Sequence, residues 1–256
     1  MKSSAGHSEL VDQLAWSPTN LELLATSSSD KTIRLWDAKG GTSLQSIPTS
    51  GETISFSWTK DGQTIAVCNR EDSLSLIDVR TWKPREKVKD FGYEVIDINF
   101  SNDNQLFFVA SGVGNIHIYD YPNLEKEFIL KGSNTICYCI AFDSNGKHFA
   151  IGTADTVVSI FDLENFACKR TVARFGWPAR TMSFSHDGAL LATASEDNVI
   201  DISHVESGER VYELRTDEFC YSTAFHPKNY LLAYACDDKD QRDVNHCVKI
   251  FGLKSD

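Results

Sequence analysis

Short apolar stretches alternate with polar turn clusters along the whole chain, and the alternation has a fixed period. An aromatic residue returns every 42 residues, at Trp16, Trp58, Phe100, Phe142 and Phe184, and after a step of 41 at Phe225. The surrounding phrases are alike: L-A-W-S-P (14–18), S-F-S-W-T-K-D-G (55–62), I-N-F-S-N-D-N (98–104), I-A-F-D-S-N-G (140–146), M-S-F-S-H-D-G (182–188) and T-A-F-H-P-K-N (223–229). Self-similarity at a period in the forties marks a stacked repeat architecture. Within one repeat the pattern predicts four short strands, 11–16, 21–27, 32–37 and 42–47, separated by the turn clusters S-P-T-N, S-S-D-K and A-K-G-G. The third, T-I-R-L-W-D, alternates in period two and puts Ile33 and Leu35 on one face. A meander sheet of this size cannot bury both apolar faces by itself, whereas copies arranged radially can. The expectation is therefore an all-β propeller. It forms one domain over residues 1–256, with six repeats at roughly 7–47, 48–90, 91–131, 132–173, 174–215 and 216–254.

Repeats one to five each end in an outer-strand phrase: T-S-L-Q-S-I, R-E-K-V-K-D, E-K-E-F-I-L, C-K-R-T-V-A and R-V-Y-E-L-R. Repeat six has only Lys254, Ser255 and Asp256 after V-K-I-F-G-L, so a three-stranded sixth sheet is expected. An apolar fraction of 41% is enough for a packed core. There is no apolar run of 18 residues, so no membrane-spanning helix is expected, and the polar start M-K-S-S-A-G-H-S-E predicts no secretory signal. Seven cysteines without framework spacing read as free thiols of a reducing compartment. A net charge of −11 disfavours autonomous nucleic-acid binding, which needs a basic stripe. No GxSxG, HExxH or P-loop phrase occurs, and no catalytic, metal or cofactor residue is assigned.

Repeat one carries Gly6-His7, Ser28, Asp30 and Trp36-Asp37, and these residues resemble the signature of the WD-repeat family. The resemblance implies a structural tetrad of His7, Ser28, Asp30 and Trp36, in which His bonds Asp and the hydroxyl, and the hydroxyl bonds Trp. The other repeats keep fragments of it, such as Thr153 with Asp155 and Ser195 with Asp197, so apolar packing is expected to carry them. The phrases 62–72, 142–155, 177–188, A-S-E-D-N-V-I-D-I (194–202) and F-H-P-K-N-Y-L-L-A-Y-A-C-D-D-K-D (225–240) are similar to those of the WD-repeat subunits of the THO complex. That family is nuclear and works in the assembly, THO/TREX, that couples transcription to mRNA processing and export. The resemblance implies a non-catalytic scaffold whose partners are other THO/TREX subunits. It implies RNA contact only indirectly or weakly, mostly through those partners, with no membrane, no small-molecule substrate and no cofactor. Members carry one further repeat upstream, so a seven-bladed family with the first blade absent is implied. A loosely closed six-bladed ring is the competing reading. A WD-repeat adaptor of another nuclear assembly, either a ubiquitin-ligase substrate receptor or a chromatin reader, is the alternative function.

In WD propellers two positions per blade line the channel entrance. Here they give a candidate partner-binding face of Tyr138, Arg180, Tyr221, Arg70, Glu196 and Asp237. Tyr and Arg dominate interface hot spots. The other reading of the same residues is structural, with the tyrosines packed between sheets and Arg180 paired with Glu196. Trp82 and Trp177, beside prolines in connecting segments, are expected to cap neighbouring sheets, and D-D-K-D-Q-R-D (237–243) to be a solvated loop.

Overall fold

The computed structural model describes residues 6–85, 89–236 and 248–252, and every regular element among them is a β-strand. The chain divides into two compact units, Met1–Ser111 with His117–Phe128, and Gly112–Ile116 with Ile129–Asp256.

In the first unit, β1 (Val11–Trp16), β2 (Leu23–Ser28), β3 (Thr32–Asp37) and β4 (Thr42–Pro48) form an antiparallel meander in chain order. The second strand starts two residues later than the pattern predicts. Asn20 accepts the Glu22 N–H through its side chain (3.0 Å) and the Leu23 N–H through its carbonyl (3.1 Å), which extends the turn. The second sheet has β5 (Thr53–Trp58), β6 (Thr64–Asn69) and β7 (Ser73–Asp78). Its outer strand is split into β8 (Lys83–Pro84) and β9 (Lys89–Asp90), both paired with β7. Pro84 has no ladder donor, and an outer edge is where a sheet tolerates that. The third sheet is β10 (Val95–Phe100), β11 (Leu106–Ser111), β12 (Asn115–Asp120) and β13 (Lys126–Lys131). The second unit holds β14 (Cys137–Phe142), β15 (His148–Thr153), β16 (Val158–Asp162) and β17 (Cys168–Val172). It continues with β18 (Ala179–Phe184), β19 (Leu190–Ser195), β20 (Val199–His204) and β21 (Arg210–Arg215). It ends in a sheet of β22 (Cys220–Phe225), β23 (Leu231–Cys236) and β24 (Lys249–Gly252), with three strands among the described residues, as expected.

The cores lie between consecutive sheets, because strand alternation gives each sheet two apolar faces. In the second sheet, Phe56, Trp58, Ile65, Val67 and Ile77 pack with Ala25, Ile33, Leu35 and Ile47 of the first. Its other face, with Ala66, Cys68, Leu74 and Leu76, packs with Ile98, Phe100, Phe107 and Val109 of the third. The fourth and fifth sheets share a core of Ala150, Val158, Ile160, Met182, Phe184 and Leu191, and the fifth and sixth another around Ala192, Ile200, Ile202 and Leu232. Of the recurring aromatics, Trp58, Phe100 and Phe184 belong to these cores and Phe225 packs against one, while Phe142 is half-buried and stacks on Phe149. Trp58 is 5% exposed, but Trp16 is 54% exposed and Leu14, beside it on β1, 60%. Trp82 packs on the first core as expected, while Trp177 stands exposed.

The tetrad forms, but its hydroxyl is Thr26, not Ser28. His7 Nδ1 lies 2.9 Å from Asp30 Oδ2, His7 Nε2 lies 2.7 Å from Thr26 Oγ1, and Trp36 Nε1 donates to the same oxygen at 2.8 Å. The reason is register. Thr26 pairs with Arg34, so Trp36 is its diagonal neighbour; Ser28 pairs with Thr32, too far along the strand to reach the indole. Ser28 instead accepts the Asp30 N–H in the following turn (3.1 Å). A carboxylate at Asp30 makes His7 Nδ1 the donor, which leaves Nε2 to accept from the Thr26 hydroxyl while Thr26 accepts from the indole. Burial would raise the Asp30 pKa. Hydrogen bonds from Thr32, His7 and the Ser8 N–H outweigh it and hold the carboxyl down at about 2. Gly6 is required by contact: a Cβ there would run into the Trp36 ring.

The second to fifth sheets do not rely on apolar packing alone, contrary to expectation. In the second, Asn69 accepts the Glu71 and Ser73 N–H groups, both at 3.1 Å, and donates to Ser50 at 2.9 Å. In the third, the hydroxyls of Tyr93 and Tyr119 bond at 2.8 Å, and Tyr93 stacks on His117. The fourth ties Asp155 to Thr153 and to Ser133. In the fifth, fully buried Asp201 accepts from Arg174 (2.9 Å), Arg210 (2.5 Å) and Ser203. Here Ser203 stands at the Trp position, and its hydroxyl also accepts from Arg174 at 2.6 Å.

Candidate functional site

The first strand of every sheet carries a β-bulge at the same place. The register shifts between Val11 and Gln13, Thr53 and Ser55, Val95 and Asp97, Cys137 and Cys139, Ala179 and Thr181, and Cys220 and Ser222. The residues skipped in the register are Asp12, Ile54, Ile96, Tyr138, Arg180 and Tyr221. A bulge releases one side chain from the alternation of the pleat and re-aims it. These are the positions four residues before the recurring aromatic, so half of the sequence-predicted binding face coincides with a backbone device that the sequence does not reveal.

In the second unit the bulges bring Tyr138 and Arg180 together. The Arg180 guanidinium lies over the Tyr138 ring, 3.9 Å from its centroid, and Nε bonds Glu196 Oε1 at 2.6 Å. The arginine is thus paired with Glu196 as the structural reading expects, yet its side chain stays 39% exposed. Ring and carboxylate fix the plane of a cation that still faces solvent, which lowers the entropy lost on engaging a partner. Tyr221 is exposed and rests edge-on against Phe219, with 4.6 Å between centroids. Trp177, also exposed, is anchored by its backbone: the Gly176 and Trp177 N–H groups donate to Asp197 at 2.6 and 3.2 Å. The sequence reading missed Trp177 as a surface group, although its place three residues before Arg180 was visible.

In the first unit Arg70 pairs with Glu52 at 2.8 Å and lines a cleft of about 280 Å³. The bulged residues Asp12, Ile54 and Ile96 line it too, with Asp72 and Glu94. Asp72 sits at φ 57° and accepts the Val95 N–H (2.9 Å), joining the turn of one sheet to the first strand of the next. The remaining predicted position, Asp237, lies outside the described residues, as does the 237–243 loop. No group of three or more His, Cys, Asp or Glu side chains could hold a metal among the described residues.

Residues 13–186 match the family model described as the WDR19 first beta-propeller. The chain is 41% identical to THO complex subunit 3 of Arabidopsis thaliana over 252 residues, 98% of this chain and 80% of that protein. The chain belongs to the THO complex subunit 3 family of WD-repeat β-propellers. It is also 34% identical to WD repeat-containing protein AAC3 of Dictyostelium discoideum over 98% of its own length, spanning about half (53%) of that relative. WD repeat-containing protein SL1-17 of Schistosoma mansoni is 28% identical over 62% of the chain. The family match begins at Gln13, just past the bulged Asp12 of the first strand. The likeness to the THO subunit runs through all six sheets, including the fifth, where the Trp–Asp pair is replaced.

Proposed function

We propose that this protein is a non-catalytic scaffold subunit of a THO/TREX-type complex, acting in the nucleus in mRNA processing and export by docking other THO subunits. The single observation that carries the reading is the 41% identity to a THO subunit across 98% of the chain. The surface chemistry fits it. Arg180 on Tyr138, with Tyr221 and Trp177 exposed in the same unit, has the composition of a protein-binding hot spot. The net charge of −11 argues that RNA is reached through partners rather than directly. The test is size-exclusion chromatography of the purified chain mixed with the helical core subunits of the complex. Stoichiometric co-elution is expected; a folded chain that elutes alone would assign it to another client.

A further inference from the structure

We propose that Cys220 and Cys236 form a reversible oxidation site, a cross-strand thiol pair that hydrogen peroxide converts to a disulfide. The two residues are direct Cα partners at the bulged end of the β22–β23 ladder, and their sulfurs lie 2.7 Å apart. A disulfide bond is about 2.05 Å long, so closure asks for roughly 0.7 Å of travel and no change of register. Each sheet has this pair of positions, and elsewhere it holds Val11 with Ser28, Thr53 with Asn69, Val95 with Ser111, Cys137 with Thr153 and Ala179 with Ser195. The sixth sheet has sulfur at both. Among the described residues β24 pairs with β23 from Leu231 to Tyr234. A covalent link between the two cysteines would join β22 and β23 at the bulged end of their ladder.

Exposure sets the order of events. Cys236 is half-buried and Cys220 buried. The Cys236 thiolate attacks one peroxide oxygen; the O–O bond breaks, and the departing hydroxide takes a proton to become water. The resulting sulfenic acid is then attacked by the Cys220 sulfur. The S–O bond breaks and the S–S bond forms, and hydroxide leaves with the Cys220 proton as a second water. Two thiols are oxidised and one peroxide is reduced. Burial, and then the neighbouring Cys236, push the Cys220 thiol up to about 12, so it attacks only a sulfur already beside it and is a poor first target. Tyr221, the bulged residue, follows Cys220 directly, so the link also pins the bulge.

The experiment uses the full chain, reduced, freed of reductant and exposed to hydrogen peroxide. The remaining thiols are then alkylated and the protein is digested without reduction for mass spectrometry. The expected product is a peptide pair joined through Cys220 and Cys236, lighter by two hydrogens and released by dithiothreitol. Cys68 and Cys137, both buried, should still be reduced. Closing a loop of this size should raise the melting temperature of the oxidised chain by about 5 °C or more over the reduced chain. Cys247→Ser should leave the product intact and Cys236→Ser should abolish it. The wild-type peptide map decides the matter even if a variant fails to fold. Cys236 joined to Cys247, Cys236 taken to sulfinic acid with Cys220 still alkylatable, or no oxidation at either residue would each overturn the proposal.

Discussion

Replacing Thr26 by Val removes one oxygen and keeps the shape of the side chain, so it isolates the hydroxyl of the tetrad. Thr26 is 8% exposed and the His7 side chain 3%, so water does not stand in for the missing group. Two partners lose their bonds at once: the indole N–H of Trp36 (2.8 Å) and Nε2 of His7 (2.7 Å). An unsatisfied buried polar group costs about 1–3 kcal/mol, and Trp36 is only part-buried, so the pair should cost about 2–4 kcal/mol. Ser28→Ala is the internal comparison. It removes one acceptor from the Asp30 N–H (3.1 Å) and should cost about 1 kcal/mol or less. Urea unfolding followed by circular dichroism should show a midpoint lower by about 1 M for Thr26→Val, at an m-value near 3 kcal/mol/M, and a much smaller shift for Ser28→Ala. Hydrogen exchange in peptides covering residues 23–37 localises the loss to the first sheet. Equal midpoint shifts, or a larger one for Ser28→Ala, would refute the argument that strand register selects the hydroxyl.

The acid limb of stability should carry a contribution from Asp30. Its folded pKa of about 2 lies below the ordinary 3.8, so the stabilisation is present above about pH 4 and lost as pH falls toward 2. It amounts to about 2 kcal/mol, and Asp30→Asn should flatten that part of a stability-versus-pH curve. Trp16→Ala should cost under about 1 kcal/mol, and the equivalent Trp58→Ala about 3–5 kcal/mol, because only the second empties a core. Similar melting shifts for the two would mean that the β1 face is covered in solution. Arg180→Ala combined with Tyr221→Ala should weaken binding to the THO core subunits at least tenfold and move the melting temperature by no more than about 2 °C. A large loss of stability with unchanged binding would return both residues to a structural role.

The fold was legible because its signal repeats. The period of 42 locates each sheet, and alternation within T-I-R-L-W-D places Ile33 and Leu35 in a core where both are buried. Much less of the hydrogen bonding was legible. A motif at the level of sequence cannot choose between Thr26 and Ser28, which point to the same side of one strand; only the diagonal offset to Trp36 does. The Asp201 cluster was hidden for a similar reason. Arg174, Asp201 and Arg210 come from three segments that sequence spacing does not join, and the missing Trp–Asp pair reads as a loss rather than a replacement. For the candidate site, the positions that the WD-repeat resemblance implies include Arg180, Tyr138 and Glu196, which the structure brings together. The bulge that presents them is a property of pairing, and no residue in V-D-Q or C-Y-C announces it.

That bulge separates two kinds of inheritance. The skipped residue of each first strand takes no part in the ladder register, so its identity is free of the demands that fix its neighbours. Across the six repeats the position already holds Asp, Ile, Ile, Tyr, Arg and Tyr, whereas the position two residues further on holds Leu14, Phe56, Ile98, Ile140, Met182 and, in the last repeat, Thr223. A lineage can therefore rewrite what such a protein recognises one sheet at a time without rebuilding the sheet beneath. A laboratory library varied only at these six sites would explore new partners on a scaffold whose folding it leaves alone.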